Sequence, residues 1–342
     1  MAVLNWTRLA TKRLSRLPTS HWGGDSAERS RGHGFEALFG RKTAQRRAFL
    51  MVALIFAGCA AEEPPSAPVR RAELWRSPVG DSPPGASSLW PAAAPSLHAR
   101  SAIMIDARSG LTLYQKNADE RTQVASTQKL LTALVILRKG SLENRVVISP
   151  DDTRVEPSKL GVRPGQWYTR RMLLSAMLVK SENDAAAALA RDCFGNLATF
   201  AAAMNTTAWE LGAHDSHFVN PHGLPAYQYS TARDMARIAF RAYREPFLRR
   251  LVGSRYFVFV YATGRSKVLE NTNKLLKRSS IFNGMKTGYT NAAGRCLISS
   301  ASMGGREVIL AQFGSKTQYI FDDAERMMRW GLAQNGLFRL AY

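Results

Sequence analysis

Residues 126–129 read Ser-Thr-Gln-Lys and open a stretch whose apolar side chains recur at intervals of three and four. This spacing predicts a helix over 126–138 that ends before Gly140. Side chains three residues apart lie on one side of a helix, so the Ser126 hydroxyl and the Lys129 amine are expected to be neighbours. A serine becomes a strong nucleophile when a base takes its proton, and a neutral lysine amine is such a base. The N–H of Ser126, at the helix start, is suited to face a developing oxyanion.

A second short motif, Ser181-Glu182-Asn183, is predicted to lie between two helices, at the start of an alanine-rich one. The hydroxyl of Ser181 is suited to relay a proton to a leaving amine. The amide of Asn183 is suited to hold a substrate carbonyl and a lysine. Both side chains are therefore candidates for the same site as Ser126.

A third motif, Lys286-Thr287-Gly288, lies at the edge of an expected strand. Lys286 is expected to supply the positive charge that keeps Lys129 neutral and attracts an anionic substrate. Thr287 is suited to hydrogen-bond a terminal carboxylate, and Gly288 leaves room for a substrate along the strand. The N–H of Tyr289 would complete the oxyanion hole.

Each motif by itself also has a purely structural interpretation, as an exposed helix start, a helix cap and a turn respectively. Each, however, occurs once in the chain, and their first residues are separated by 55 and 105 positions, in this order and on suitable elements. The combination predicts a single catalytic site built around Ser126.

Strand patterns flank a helical middle in the rest of the chain. Strands are predicted at 102–107, 111–115, 256–262, 267–269, 296–301 and 308–313. Helices are predicted at 170–179, 184–191, 197–211, 231–242 and 316–330. This order predicts an α+β fold, with an antiparallel sheet covered by helices plus a helical subdomain at about 150–250. A cleft between the two is the expected active site.

The three motifs resemble those of penicillin-binding proteins and class A β-lactamases. Over about residues 98–342 the sequence is similar to the low-molecular-mass D-alanyl-D-alanine carboxypeptidase family of serine D,D-peptidases. The likeness is carried by Ile105-Asp106-Ala107-Arg108-Ser109-Gly110, Ala125-Ser126-Thr127-Gln128-Lys129-Leu130, Ser181-Glu182-Asn183-Asp184-Ala185-Ala186, Asn220-Pro221-His222-Gly223-Leu224 and Gly284-Met285-Lys286-Thr287-Gly288-Tyr289-Thr290. It implies a β-lactamase/D,D-peptidase-like fold.

The resemblance implies hydrolysis of peptidoglycan stem peptides that end in D-Ala-D-Ala, through a serine acyl-enzyme that β-lactams also form as covalent inhibitors. Such an enzyme acts in peptidoglycan synthesis, and hence in cell wall biogenesis and cell shape, and requires no metal or organic cofactor. The expected catalytic residues are Ser126 as nucleophile, Lys129 as general base, Ser181 as proton relay, Asn183 and Lys286, and the expected substrate-binding residues are Thr287, Gly288 and Tyr289. Carboxypeptidase and endopeptidase action break a D-Ala amide in the same way, so the sequence leaves both open, as it does the oligomeric state. Glu182 fills a motif position where small residues are commoner, which bears on substrate preference rather than on chemistry.

The N-terminal part has the layout of a secretory signal. Four basic residues at 41–47 precede eleven uncharged residues at 48–58, a run too short to span a bilayer. The sequence Phe56-Ala57-Gly58-Cys59 then resembles a bacterial lipobox with Phe in place of the commoner Leu. We therefore expect a lipid on Cys59, an ordinary signal peptide cut near 57–61 being the alternative.

The expected organisation has three parts. Residues 1–58 form a basic extension and signal, and 59–97 form the lipidated Cys59 and a Pro/Ala-rich linker with eight of the chain's fifteen prolines. Residues 98–342 form the peptidase domain, with no counterpart of the family's common C-terminal β-rich domain and membrane anchor. The lipid is expected to replace that anchor and to hold the enzyme at a membrane on the extracytoplasmic or periplasmic side of a bacterial envelope.

The formal net charge is +21, from 47 basic and 26 acidic residues, which favours anionic partners such as acidic lipids or wall polymers. No helix-turn-helix, zinc-finger spacing or aromatic-rich RNA signature accompanies it, so nucleic acid is not an expected partner. The six histidines show no ligand spacing for a zinc peptidase, and no Gly-x-Ser-x-Gly elbow supports a Ser-His-Asp hydrolase.

Two alternative functions remain. A class A β-lactamase needs a water-activating carboxylate on a loop resembling Glu-x-x-Leu-Asn, and none of Glu210, Glu245 and Glu270 stands in that pattern. A non-catalytic scaffolding lipoprotein of the cell envelope is expected to have lost a motif residue, and all are present. Cys193 and Cys296 are not in a C-x-x-C pair, and two separate buried thiols are favoured over a disulfide.

Overall fold

A five-stranded antiparallel sheet lies at the centre of the structure, a computed structural model that describes residues 93–338. The described residues contain nine strands, of which five form this sheet. They are β1 (Ser101–Asp106), β2 (Thr112–Lys116), β3 (Arg145–Val147), β4 (Trp167–Thr169), β5 (Tyr256–Val260), β6 (Ser266–Glu270), β7 (Phe282–Thr290), β8 (Gly294–Met303) and β9 (Arg306–Ser315). The sheet has the order β2-β1-β9-β8-β7, so β7 is an edge strand.

Helices cover this sheet and fill the middle of the chain. They are α1 (Lys129–Leu137), α2 (Arg170–Val179), α3 (Asn183–Phe194), α4 (Leu197–Glu210), α5 (Ala232–Tyr243), α6 (Pro246–Val252), α7 (Leu275–Arg278) and α8 (Ile320–Phe338). Two 3-10 turns, Ala125–Gln128 and Asp151–Arg154, complete the elements. The predicted fold class, an α+β fold with helices on an antiparallel sheet and a helical subdomain, is confirmed.

The sheet is buried on both faces because its central strands carry apolar side chains on both sides. In β1, Ile103 and Ile105 belong to one hydrophobic core, and Ala102 and Met104 to the other. Successive side chains of a strand point to opposite faces, so one continuous apolar run supplies both cores. Helix α5 packs on the first face against β1 and β9, and α8 packs on the second against β8 and β9.

Helix α1 lies in the interior of the helical part, where it packs against α2, α3, α4 and α5. All its residues from Lys129 to Ile136 are buried, as is typical of a helix that is apolar on every side. The amine of Lys129 is the charged exception, and it is held at the start of this buried helix. The packing of α1 therefore fixes the position of the first motif.

The structure differs from the predicted strands in two respects. β5 and β6 pair only with each other, because Phe259 and Leu269 are buried on the helical side of the molecule instead of extending the main sheet. β7 is longer than its sequence pattern indicates, since Gly284 and Gly288 interrupt it and glycine disfavours strands. The sequence also gave no indication of the short helix α6, or of the β3–β4 pair.

Several predictions concern residues outside the described part of the chain, including the signal sequence, the lipid on Cys59 and the linker up to residue 92. Between residues 93 and 338, no helix combines the length and apolar character that crossing a bilayer requires. Cys193 and Cys296 are unpaired, as predicted, although Cys193 is only half-buried. Burial raises the pKa of the Cys193 thiol to about 11 and that of Cys296 to about 12.

Candidate active site

Ser126 lies in a 3-10 turn directly before α1, so the first motif is in a tighter turn than the predicted helix start. The preceding Ala125 has a φ of 48°, a left-handed conformation that a non-glycine residue keeps only when its surroundings impose it. The surroundings here include Gly223, where an added Cβ would lie 2.2 Å from the Ala125 carbonyl oxygen. The Ser126 hydroxyl donates to the carbonyl oxygen of His222 at 3.1 Å. The 220–224 loop thus holds the serine in place.

The amine of Lys129 is fully buried and lies 3.0 Å from Ser126 Oγ. It donates to Asn183 Oδ1 at 2.6 Å and to the carbonyl oxygen of Ser181 at 3.1 Å. Burial lowers the pKa of Lys129 well below its usual value, and the positive charge of Lys286 lowers it further. Burial and the charge of Lys286 therefore favour the neutral form of the amine, which proton transfer from Ser126 needs.

The second motif forms the turn between α2 and α3. Ser181 has a φ of 73°, and Asn183 is the first residue of α3. The Asn183 amide donates through Nδ2 to the carbonyl oxygen of Glu156 at 2.9 Å, which directs its Oδ1 towards Lys129. This turn brings both polar side chains of the motif to the first motif, as predicted from their chemistry.

Lys286 extends from β7 to the same point and is also fully buried. Its Nζ donates to Ser181 Oγ at 2.9 Å, and Lys129 Nζ lies 3.4 Å from the same oxygen. Burial lowers the pKa of Lys286 to about 7, although the negative charge of Glu182 acts in the opposite direction. The Ser181 hydroxyl thus connects the two lysines.

Gly288 allows β7 to approach the serine turn. An added Cβ at this position would lie 2.9 Å from the Ser126 nitrogen and 3.0 Å from the Ala125 Cβ. The neighbouring Thr287 donates to Thr272 through its hydroxyl at 2.5 Å and lines the cleft. The backbone of Tyr289 follows directly, at the end of the motif.

These residues line one cleft of about 510 Å³, a volume suited to a small peptide. Its walls include Ser126, Ser181, Asn183, Leu224, Thr272, Thr287, Gly288, Tyr289, Arg295 and Phe321. Lys129 and Lys286 lie beneath this surface, where water does not reach them. The structure brings all eight predicted site residues of the three motifs together, and it leaves Cys59 outside the described part.

Three cations also face this cleft, Lys180, Lys274 and Arg295. Arg295 is paired with Tyr289 across β7 and β8, lies 4.3 Å above its ring, and donates to Thr317 Oγ1 at 2.9 Å. No carboxylate within residues 93–338 forms an ion pair with Arg295. Its guanidinium is therefore held in position without a counter-charge, which suits an anionic ligand.

Sequence reasoning missed Arg295, because its role depends on the register of β8 beside β7. The only sequence signal was a basic residue directly after the Gly294 turn, nine positions beyond Lys286. Such a residue is usually a solvated charge at a strand end. Only the pairing of the two strands places it beside the third motif.

The other carboxylates considered from the sequence are engaged elsewhere. Glu210 pairs with Arg138 at 2.5 Å, and Glu245 pairs with Arg241. Glu270 lines the cleft, but it is more than half exposed and pairs with Lys277. No Glu of this group is buried beside Ser126, as a water-activating residue needs to be.

The loop histidines do not form a site. His214 stacks on Trp209 at 4.1 Å between ring centroids, on a turn after α4. His222 is buried and keeps its turn by accepting the Leu224 N–H at 3.3 Å. Burial lowers the pKa of His222 to about 3, so the ring is neutral.

Comparison with known proteins shows which family this chain resembles. Residues 90–317 match the family described as D-alanyl-D-alanine carboxypeptidase. DacB2, a D-alanyl-D-alanine carboxypeptidase of Mycobacterium tuberculosis, is 35% identical over 242 residues, covering 68% of this chain and 82% of DacB2. DacF of Bacillus subtilis is 34% identical over 64% of this chain, which spans 58% of the length of DacF. A D-alanyl-D-alanine endopeptidase of Escherichia coli is 31% identical over 70% of this chain and 79% of its own length.

Solved structures show the same fold. The crystal structure of a D-alanyl-D-alanine carboxypeptidase from Mycobacterium tuberculosis superposes with a TM-score of 0.68 and 33% identity, over 71% of this chain and 94% of that one. The Streptomyces K15 DD-transpeptidase gives a TM-score of 0.68 and 31% identity, over 71% of this chain and all of that one. The antiparallel sheet and the helices packed on it are therefore a fold that this chain shares with these D,D-peptidases.

Proposed function

Since the chain belongs to the D-alanyl-D-alanine carboxypeptidase family and is a hydrolase, we propose that it hydrolyses the terminal D-Ala-D-Ala bond of peptidoglycan stem peptides through an acyl-enzyme on Ser126. One observation carries the proposal. The buried Lys129 amine lies 3.0 Å from Ser126 Oγ, and burial together with Lys286 lowers its pKa. Such a pair is a nucleophile with its own base.

Acylation begins with proton transfer from Ser126 Oγ to the neutral Lys129 amine. The serine oxygen then attacks the carbonyl carbon between the two D-alanines. The N–H groups of Ser126 and Tyr289 stabilise the negative charge that develops on the carbonyl oxygen, which is support of the oxyanion-hole kind. The closeness of Gly288 to the Ser126 nitrogen supports this assignment.

The leaving amine takes its proton from the Ser181 hydroxyl. Ser181 is replenished by the proton that Lys129 received, since Lys129 Nζ lies 3.4 Å from Ser181 Oγ. The peptide C–N bond breaks, D-alanine leaves, and Lys129 is neutral again. A water molecule then attacks the acyl-serine ester, with Lys129 as the base, and releases the shortened peptide and the free Ser126 hydroxyl.

The carboxylate of the leaving D-alanine binds among Thr287, Lys286 and Arg295. Lys286 supplies charge from beneath the cleft, and Thr287 supplies a hydroxyl on its wall. Arg295 adds a guanidinium without a carboxylate partner in the described part of the chain. This grouping favours a substrate that ends in a free carboxylate, and hence the carboxypeptidase reaction.

Endopeptidase action on cross-links is the second candidate. It breaks a D-Ala amide by the same steps, and two relatives of 33% and 31% identity, from Pseudomonas aeruginosa and Escherichia coli, are D-alanyl-D-alanine endopeptidases. The same cleft is also lined by Thr317, Ile320 and Phe321, which a longer peptide chain could contact. Release of D-alanine from a pentapeptide, compared with cleavage of a cross-linked dimer, separates the two activities.

We also propose that the enzyme is exported and anchored to a membrane by a lipid on Cys59. The basic, short apolar segment before Cys59 supports export and a lipid on that cysteine, and the proline-rich linker supports reach into the wall. Both features support a proposed location on the extracytoplasmic side of a bacterial membrane. Metabolic labelling with a fatty acid, and its loss on Cys59→Ser, tests the anchor.

Intact-mass spectrometry of the full chain after incubation with benzylpenicillin tests the acyl-enzyme. A β-lactam places a reactive amide beside the serine, and its opened ring remains attached. We expect one added drug molecule on the parent and none on Ser126→Ala. A D-Ala-D-Ala pentapeptide should lose D-alanine only with the parent.

Other outcomes would identify the alternatives. If folded parent protein formed no adduct and left both drug and peptide intact, the non-catalytic envelope role would replace the proposal. Consumption of the drug without a lasting adduct would instead indicate a β-lactamase.

A further inference from the structure

Glu182, the middle residue of the second motif, is a buried carboxyl that the mechanism above does not use. It is 1% exposed and stands at the N-cap position of α3, without a side-chain capping hydrogen bond. Its Oε2 atom has no hydrogen-bond partner within residues 93–338. A buried carboxylate is costly unless nearby charge compensates it, so its surroundings need an explanation.

The two neighbours of Glu182 in the sequence hold the two lysines of the site. Ser181 Oγ accepts from Lys286 Nζ at 2.9 Å, and the Ser181 carbonyl oxygen accepts from Lys129 at 3.1 Å. Asn183 Oδ1 accepts from Lys129 at 2.6 Å. The carboxyl is thus one residue away from each of the contacts that position the amines.

The charged and titratable groups around Glu182 come from every element packed against it. They are Asp184 on α3, Lys180 after α2, Lys267 on β6, Tyr261 after β5, Lys129 on α1 and Lys286 on β7, with the Ser158 loop as a hydrogen-bond partner. Burial raises the pKa of Glu182 and so does Asp184, whereas Ser158, Lys267 and Lys180 lower it. In turn, the charge of Glu182 raises the pKa of both Lys129 and Lys286.

We propose that Glu182 is a positioning residue whose buried carboxylate is the counter-charge that keeps Lys286 a cation while Lys129 stays neutral. The inference rests on the proposed function, because it concerns the same two amines. The negative charge of Glu182 offsets the positive charge of Lys286, and interactions between charges are strong in the buried site because little water screens them.

Asp184 does not replace Glu182 in this role. It also faces Lys129, but its two carboxylate oxygens accept the N–H groups of Leu160 and Gly161, each at 2.9 Å. Those contacts hold its carboxylate against the 160–161 backbone. Glu182 Oε2 has no such partner in the described part of the chain, and the charge of Glu182 raises the pKa of Lys286 as well as that of Lys129.

Removing the Glu182 carboxylate should lower the pKa values of both lysines. Two amines would then share a buried site without Glu182, and both would lose a proton more readily. The reaction needs a neutral Lys129, which exists above the pKa of Lys129, and a charged Lys286, which exists below the pKa of Lys286. The two pKa values therefore set the acid limb and the alkaline limb of the pH profile. Both limbs of the pH profile would therefore move to lower pH, whereas a merely structural defect would lower the profile without moving it.

The test compares the parent with Glu182→Gln in the pH dependence of the second-order rate constant for acylation by benzylpenicillin. We expect both limbs of the variant to move to lower pH. On the alkaline limb each unit of displacement lowers the rate about tenfold at a fixed pH. Glu182→Asp keeps the charge and should restore the profile of the parent.

Two further variants complete the design. Glu182→Ser is neutral but supplies a residue favoured at N-caps, so it should fold even if Glu182→Gln does not, and it should show the same displacement. Glu210→Gln removes a carboxylate on α4 that pairs with Arg138, and should leave the profile unchanged. It controls for the change in net charge.

The proposal is overturned if both neutral variants acylate with the limbs of the parent, whatever the height of their profiles. It is equally overturned if acylation is unchanged and only release of the acyl group slows, because Glu182 would then act on the hydrolytic water. Failure of the parent itself to form an adduct would count against the proposed function, so the two failures are distinguishable.

Discussion

At the scale of single residues, the proposed chemistry depends on two lysines whose pKa values are lowered by burial. Lys129 and Lys286 are both fully buried, and both contact the Ser181 hydroxyl. Their surroundings differ, since Lys129 has Ser126 and Asn183 as partners, whereas Lys286 also donates to the Thr287 carbonyl oxygen. One amine is thereby suited to be a base and the other a cation.

Lys129→Arg should slow acylation strongly although it keeps the positive charge. An arginine side chain does not lose its proton in proteins, so it cannot accept one from Ser126. We expect the rate of adduct formation with benzylpenicillin to fall by a factor on the order of 10³, as for removal of a general base. A stopped-flow or timed mass measurement reads this rate, and near-normal acylation would exclude Lys129 as the base.

The rate should also depend on pH through Lys286. Its pKa is lowered to about 7, and the amine is charged below that value and neutral above it. The value of kcat/KM for a D-Ala-D-Ala peptide should therefore decline as the pH rises through this region, because a neutral Lys286 no longer attracts the carboxylate. A profile that stays level up to pH 9 would contradict a role for this charge.

Arg295→Ala should weaken substrate binding more than it slows the chemistry. The guanidinium lies over Tyr289 and beside Thr317, away from the contacts of Lys129. Loss of one charge-assisted hydrogen bond to the substrate corresponds to a KM about 10- to 100-fold higher with a smaller change in kcat. A peptide amide in place of the free acid provides the control, since it should bind parent and variant alike.

At the scale of elements, the site depends on close backbone approach between a turn and a strand. Gly288 of β7 lies against the Ala125–Gln128 turn, and Gly223 of the 220–224 loop contacts the same turn. Neither position has room for a Cβ. The left-handed φ of Ala125 is a product of this confinement.

Gly288→Ala should separate β7 from the serine turn. Its Cβ would lie 2.9 Å from the Ser126 nitrogen, and backbone atoms give way less easily than side-chain ends. A displacement of about 1 Å at a reacting centre lowers the rate about 100-fold, and the rate of adduct formation would report it. In Gly264→Ala, on the β5–β6 turn with open space around it, acylation should be unchanged even if stability falls slightly. Equal rates for the two variants would contradict the close-approach explanation.

At the scale of the whole molecule, one sheet connects the two hydrophobic cores. β1 contributes Ile103 to the helical side and Met104 to the side of α8, and both are fully buried. The three motifs come from different layers, Ser126 and Ser181 from the helical part and Lys286 from the edge strand. The geometry of the site therefore depends on both cores remaining packed.

Ile103→Ala and Met104→Ala should destabilise the protein by similar amounts, although they remove buried side chains from opposite faces of the sheet. Truncation of a large buried side chain costs about 2–5 kcal/mol in free energy of unfolding. Urea denaturation followed by circular dichroism and by loss of penicillin binding should give coincident transitions in both variants. Separate transitions for the two signals would show that the two cores unfold independently.

Local patterns in the sequence determined much of this protein. The helices at 170–179, 197–211 and 231–242 were predicted within two residues of their observed ends, because apolar spacing reflects which face is buried. The three motifs were also recognisable from local sequence, because each is a short run of residues on one element. Their chemistry and order were enough to predict one site around Ser126.

Tertiary structure alone decided the rest. Arg295 joins the cleft through strand register, Glu182 is buried by packing at the start of α3, and β5 and β6 pair apart from the main sheet. Each of these depends on contacts between residues far apart in the chain, and a local pattern carries no information about such contacts. The two lysines show the same division, because their residue type is written in the sequence, whereas the displacement of their pKa values comes from burial that only the folded chain creates.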